Sequence, residues 1–250
     1  MHLHFMCNFI LLTISLLYRM KKRNLVLHML SPVIVLMVLF NSSGHTTVLE
    51  FIFKPLIMVW IASYFVVNLT AKNHPIVKPA LFAFFFSWIG DIVLMFSGSL
   101  FFLSGLSAFL IAQFFYICLF QKTDDRTSTP LLKKNPSLIL PYVVCGSVLL
   151  WILLPRISAV EKPAIFLYTL IIMTMAVSAL NRKGRVSTGS FLLVLVGSIL
   201  FVASDSLIAI HKSGIKIPHS GFWVMSTYIS AQYLIMIGLL AQVNNKNTKE

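Results

Sequence analysis

Apolar residues along this chain come in long, nearly unbroken runs separated by short polar connections, not in the stripe of a half-buried helix or the alternation of a strand. A run of about 20 apolar residues, at about 1.5 Å of rise each, is what an α-helix needs to cross the hydrocarbon of a bilayer. The pattern predicts an all-α, polytopic membrane protein with eight spans, at 25–41, 51–70, 79–97, 100–120, 138–154, 162–180, 188–210 and 222–242. Pro55, Pro79, Pro141 and Pro163 fall in expected first turns, where a missing N–H costs little. An extra apolar stretch at 3–18 is short for a span and lacks the small-residue cleavage site of a signal peptide. Met20, followed by Lys21, Lys22 and Arg23, reads as a start, which would make 1–19 an upstream extension. The expected organisation is 1–24 as N-terminal extension and basic segment, 25–242 as one eight-helix domain, and 243–250 as a polar tail.

Composition agrees, with 58% hydrophobic and 11% charged residues in 250. The net charge of +13 would suggest nucleic acid in a soluble protein. Here the basic residues sit in short loops, so they report topology and no nucleic-acid partner is expected. Fifteen Lys and Arg fall on one side of the expected spans and four on the other (Arg156, Lys162, Lys212 and Lys216). That bias places both ends of the eight-span core in the cytoplasm, in a bacterial-type inner or plasma membrane. Cys7, Cys118 and Cys145 lack metal-ligand spacing and are expected as small buried hydrophobes.

Only seven residues are acidic, and five of these lie in or beside polar connections. Asp91 and Asp205 are the exceptions. An Asp at the centre of a spanning helix costs about 2.5 to 3.5 kcal/mol on insertion scales, so such residues face the bundle interior and mark a site or a buried pair. Counted from the expected helix ends, Asp91, Asp205, Tyr228 and Lys54 reach similar depths, on the order of 5 to 10 Å below the non-cytoplasmic face. One polar site opening towards that face is expected. Gln232 shares a helix face with Tyr228, so both can hydrogen-bond an aspartate or serve as interhelical glue. Lys54 is placed to hold a lipid phosphate or simply to snorkel to the interface. Ser204 precedes Asp205 and is expected either to cap or to bond the neighbouring helix. His211 and His219 lie at the outer boundary without Glu or Cys in metal spacing, so neither metal nor cofactor is expected.

An internal repeat is also suggested. Lys54-Pro55 with Trp60 recurs as Lys162-Pro163 with Tyr168 at an offset of 108, the aspartates are offset by 114, and Gln113 and Gln232 by 119. Slowly growing offsets fit a four-span unit duplicated in parallel, each half giving one aspartate.

Five motifs fall in order on these spans: Phe53-Lys54-Pro55, Gly90-Asp91, Gly105-x3-Phe109-x3-Gln113-x2-Tyr116, Gly197-x2-Leu200-Phe201-x2-Ser204-Asp205 and Tyr228-x3-Gln232-x-Leu234-Ile235. Together, from about 25 to 240, the chain resembles the YhhN-like lysoplasmalogenase family. The resemblance implies an eight-span membrane hydrolase that cleaves the vinyl ether of a lysoplasmalogen to a fatty aldehyde and a glycerophospho-alcohol. It carries the two proposed essential aspartates onto Asp91 and Asp205, and a lysophospholipid becomes the expected partner besides the bilayer. Lys54, Tyr228, Gln232, Gln113, Tyr116 and Ser204 become candidate substrate-binding residues. Many members have His where this chain has Gln113, which cannot titrate. Vinyl ether hydrolysis needs an acid, a base and an anion near an oxocarbenium ion, and two carboxyl groups supply all three. The competing expectation is a proton-coupled secondary transporter using the same aspartates.

Overall fold

The computed structural model describes residues 48–123 and 128–246. The N-terminal extension and the first expected span, 25–41, lie outside the described residues. Seven longer helices follow: α1 (Val48–Asn68), α2 (Val77–Val93), α3 (Ser99–Phe120), α4 (Leu140–Leu153), α5 (Lys162–Leu180), α6 (Thr188–Lys212) and α7 (Ser220–Lys246), with a short turn at Leu131–Lys134 and a 3-10 segment at Pro136–Ile139 leading into α4. These match the other seven expected spans in place. Five stretches are long and apolar enough to cross a membrane, namely α3, α5, α6, α7 and Pro136–Leu153, the 3-10 segment joined to α4, and α1 contributes the shorter apolar stretch Phe53–Asn68. This is an integral membrane protein.

Starts and stops follow local chemistry. Pro141 and Pro163 open α4 and α5 as expected, and the Ser187 side chain accepts a hydrogen bond from the Ser190 N–H to cap α6. Pro55 differs from expectation. The helix begins at Val48, so Pro55 is interior and Lys54 lies three residues further from the helix start than the sequence suggested. Asp91 lies two residues from the end of α2; the chain then continues in tighter i to i+3 turns to Phe96 before Gly98, at φ +120°, starts α3.

Six helices form a closed ring among the described residues, in the order α1, α2, α3, α5, α6, α7 and back to α1. The closest packed pair is α6 with α7. Helix α4 stands outside the ring against α5 and α6, and most of its surface, Trp151 and Cys145 included, is exposed. Cys145 was expected to be buried; it lies on this outer helix, whose free face is as apolar as lipid. The ring interior is aromatic and aliphatic, with Phe109, Phe201 and Tyr228 in mutual edge-to-face contact. Away from the aspartates, the other end of the ring is tied by Arg182, which donates to the Gln242 side-chain oxygen at 2.8 Å and to the Ser190 hydroxyl at 3.0 Å.

Without a hydrophobic force between helices in lipid, close approach of small residues carries much of the packing. A Cβ on Gly197 would sit 2.9 Å from the Ala231 carbonyl oxygen and 3.0 Å from the Ile235 nitrogen, which are backbone and cannot swing away. Gly189 has nothing within 4 Å of that position. Gly197→Ala is therefore expected to cost about 1 to 3 kcal/mol by forcing α6 and α7 apart, and Gly189→Ala to stay within about 0.5 kcal/mol of the parent. Thermal unfolding of the two purified proteins in detergent measures the difference.

Candidate active site

The two carboxyl groups come from α2 and α6, and Asp91 lies within electrostatic reach of Asp205. Each is held by a tyrosine from another helix. The Tyr228 hydroxyl of α7 donates to Asp91 Oδ2 at 2.8 Å, and the Tyr168 hydroxyl of α5 donates to Asp205 Oδ2. Such bonds replace the water that a buried carboxyl gives up.

The surroundings of the two pairs differ. Behind Asp91 runs a directed chain of donors. The Tyr116 hydroxyl donates to Gln232 Oε1, which orients the amide so that its Nε2 donates to the Ser87 hydroxyl at 3.1 Å and to the Tyr228 hydroxyl at 3.4 Å. Tyr228 passes the polarity on to Asp91. All of these groups are buried, Asp91 at 4% exposure. Lys54 of α1 lies within electrostatic reach of Asp91. Asp205 by contrast is partly exposed, and with Tyr168 it lines an apolar cavity between α3, α4, α5 and α6.

Of the residues singled out in the sequence, Asp91, Tyr228, Gln232 and Tyr116 meet in one hydrogen-bonded network, with Lys54 and Asp205 close by. Ser204 does not join it: its hydroxyl donates to the Val224 carbonyl at 3.1 Å and ties α6 to α7, the helix-bonding role expected of it. Gln113 is fully buried near the Tyr168 hydroxyl, yet neither end of its amide has a hydrogen-bond partner among the described residues. Sequence reasoning missed Tyr168 and Ser87 as site residues. The signal for Tyr168 was present, since it holds a repeat position beside Lys162-Pro163, but nothing in one helix reveals that its hydroxyl meets a carboxyl on another.

A ring of apolar helices enclosing two tyrosine-bound carboxyl groups defines an integral membrane protein with a polar site inside the membrane. Its family follows from its sequence: the profile of the YhhN family matches residues 49–239, and the chain belongs to that family. The chain is 33% identical over 153 residues to lysoplasmalogenase TMEM86B of Sus scrofa, covering 61% of this chain and 59% of that protein. It is 27% identical over 168 residues to lysoplasmalogenase TMEM86A of Bos taurus, covering 66% of each. The match thus spans about three fifths to two thirds of these relatives' lengths. No solved structure is significantly similar to the chain.

The network makes a paired expectation for the two glutamines. Gln232→Leu strands the Tyr116 and Ser87 hydroxyls in a dry interior and is expected to cost about 1 to 3 kcal/mol. Gln113→Leu, which removes an amide that already lacks partners, is expected to be neutral or stabilising. Unfolding of both variants in mixed micelles, side by side with the parent, reads out the sign of each change.

Proposed function

We propose that this protein is a membrane hydrolase that cleaves the vinyl ether of a lysoplasmalogen, or of a related lyso-ether lipid, by two-carboxyl acid and base catalysis at Asp91 and Asp205. The observation that carries the reading is the convergence of the only two deep acids of the described helices on one interior, in a chain related to proteins named lysoplasmalogenases. In the proposed reaction a protonated carboxyl gives its proton to the distal alkene carbon, and the ether oxygen supplies electrons to form an oxocarbenium ion. The ionised carboxyl stabilises that cation and takes a proton from the water that attacks it. The hemiacetal then moves its hydroxyl proton to the ether oxygen as the carbon–oxygen bond breaks. Aldehyde and alcohol leave, one water is consumed, and the proton taken from water passes from the second carboxyl back to the first, which restores both.

The same reading includes eight spans, cytoplasmic core ends and a site open towards the opposite face. It also includes the four-span duplication. The closed ring supports the duplication, because pairing α1 with α5, α2 with α6 and α3 with α7 turns the ring onto itself by half a revolution.

Asp91→Asn and Asp205→Asn are each expected to lower aldehyde release from an alkenyl lysophospholipid by about 10²- to 10⁴-fold while leaving the protein folded. Near-parent turnover in both variants would end the proposal. Proton-linked substrate flux into proteoliposomes without aldehyde release would replace it with transport.

A further inference from the structure

The aspartates are not equivalent in their access, and the cavity beside Asp205 has the layout of a lipid site. At its outer end Phe102 forms one wall, and the exposed Lys212 ammonium lies 5.2 Å from that ring's centroid. Asp205 and Tyr168 supply polar groups at an intermediate level, and Phe109 and Ile172 are the deepest of the lining residues along α3 and α5. Asp91 does not line this cavity, nor does Lys54.

We propose that this cavity binds the hydrocarbon chain of the substrate, with Lys212 holding the phosphate at the rim and Asp205 as the carboxyl that reaches the vinyl ether. The inference rests on the hydrolase reading above and names the place and register of its substrate. Spacing supports the register. Asp205 and Lys212 are seven residues apart on one helix, a rise of about 10 Å. From the alkene carbon that accepts the proton to the phosphorus of a lysoplasmalogen is a path of about seven bonds, which extends to about 9 Å at the per-bond advance of an extended chain. With phosphate at the rim, the reacting carbon is level with Asp205 and the rest of the chain lies against Phe109 and Ile172. Occupancy by a chain also suits walls that are almost wholly apolar, since each methylene taken from water is favourable there.

Asp91 then stands behind the reacting carboxyl. Its donors all point towards it, from Tyr116 through Gln232 to Tyr228, and Lys54 is near, an arrangement that suits an ionised partner for the cation. Among the described residues Asp205 is bonded by Tyr168 alone, whose hydroxyl can either donate or accept, so a proton can reside on the carboxyl and be delivered.

The test is a chain-length profile on the full-length protein in lipid nanodiscs. Aldehyde release is measured from hexadecenyl and octenyl lysophosphoethanolamine, and binding from the uncleavable hexadecyl and octyl ethers. Ile172→Phe shortens the floor and is expected to lower the long-to-short ratio in both assays at least about tenfold, the effect of displacing about two methylenes. Ile172→Ala deepens the floor and should move the ratio the other way, so the test survives if one variant folds poorly. Lys212→Gln is expected to weaken binding of both ethers by a similar factor. Aldehyde release with a profile unmoved by either floor variant would overturn the cavity assignment and leave the hydrolase intact. Ether binding that follows the floor variants, without aldehyde release in the parent, would support the cavity and sink the hydrolase.

Discussion

A carboxyl group carried into hydrocarbon has to be met by other polar groups, because no water is there to do it. Two such groups inside one ring of helices constrain nearly everything around them. They require donors from helices remote in sequence, which fixes the faces that α2, α5, α6 and α7 turn inward. They also require that those helices stay close enough for bonds near 3 Å, which the small residues Gly90, Gly105, Gly197 and Gly238 permit by letting neighbouring helices touch. Ring and site are therefore one construction. The Tyr228 bond to Asp91 crosses the ring, and the Tyr168 bond to Asp205 joins two of its neighbours.

Much of this was legible in the sequence because lipid simplifies the problem. Apolar runs of sufficient length have to be helices, so helix positions could be read directly, and the scarcity of acids made Asp91 and Asp205 conspicuous. Tyr116, Tyr228 and Gln232 were legible through their motifs, although their mutual bonding was not. What failed to show was whatever depends on how helices rotate against each other. Tyr168 entered the sequence reading only as a repeat position beside Lys162-Pro163, and Ser87 did not stand out at all. Pro55 misled in the other direction, since proline marks a first turn only when nothing helical precedes it, and Val48 to Lys54 do. The outward position of α4 was illegible for a simpler reason: a helix that faces lipid and one that faces protein are equally apolar in a membrane.

The asymmetry between the two aspartates follows from the same physics. A buried amide such as Gln232 is stable because both of its ends are used, and its use polarises Tyr228 towards Asp91. A carboxyl so surrounded has little freedom and little access. Asp205 keeps a single bond and an open side on the cavity, which is poorer for stability and better for meeting a substrate. Dividing the work of an acid and an anion between two chemically identical side chains requires such unequal surroundings.

Under the proposed duplication the inequality has a traceable origin. Gln232 corresponds to Gln113 at an offset of 119, and at that same offset its partners Tyr228 and Tyr116 correspond to Phe109 and Ile235. Its third partner, Ser87, corresponds to Phe201 at the offset of 114 that relates the aspartates. Every group that satisfies Gln232 thus has an apolar counterpart, in keeping with the unpartnered amide of Gln113 among the described residues. Of these apolar counterparts, Phe109 lines the cavity. On the proposed duplication, the copy around Gln232 keeps its hydroxyls and its enclosed, hydrogen-bonded Asp91, and the other has a phenylalanine in the wall of the cavity that Asp205 also lines. A symmetric ring would offer a lipid two equal and poorly differentiated acids; on the reading proposed above, divergence separates them into a chain site at Asp205 and a fixed anion at Asp91.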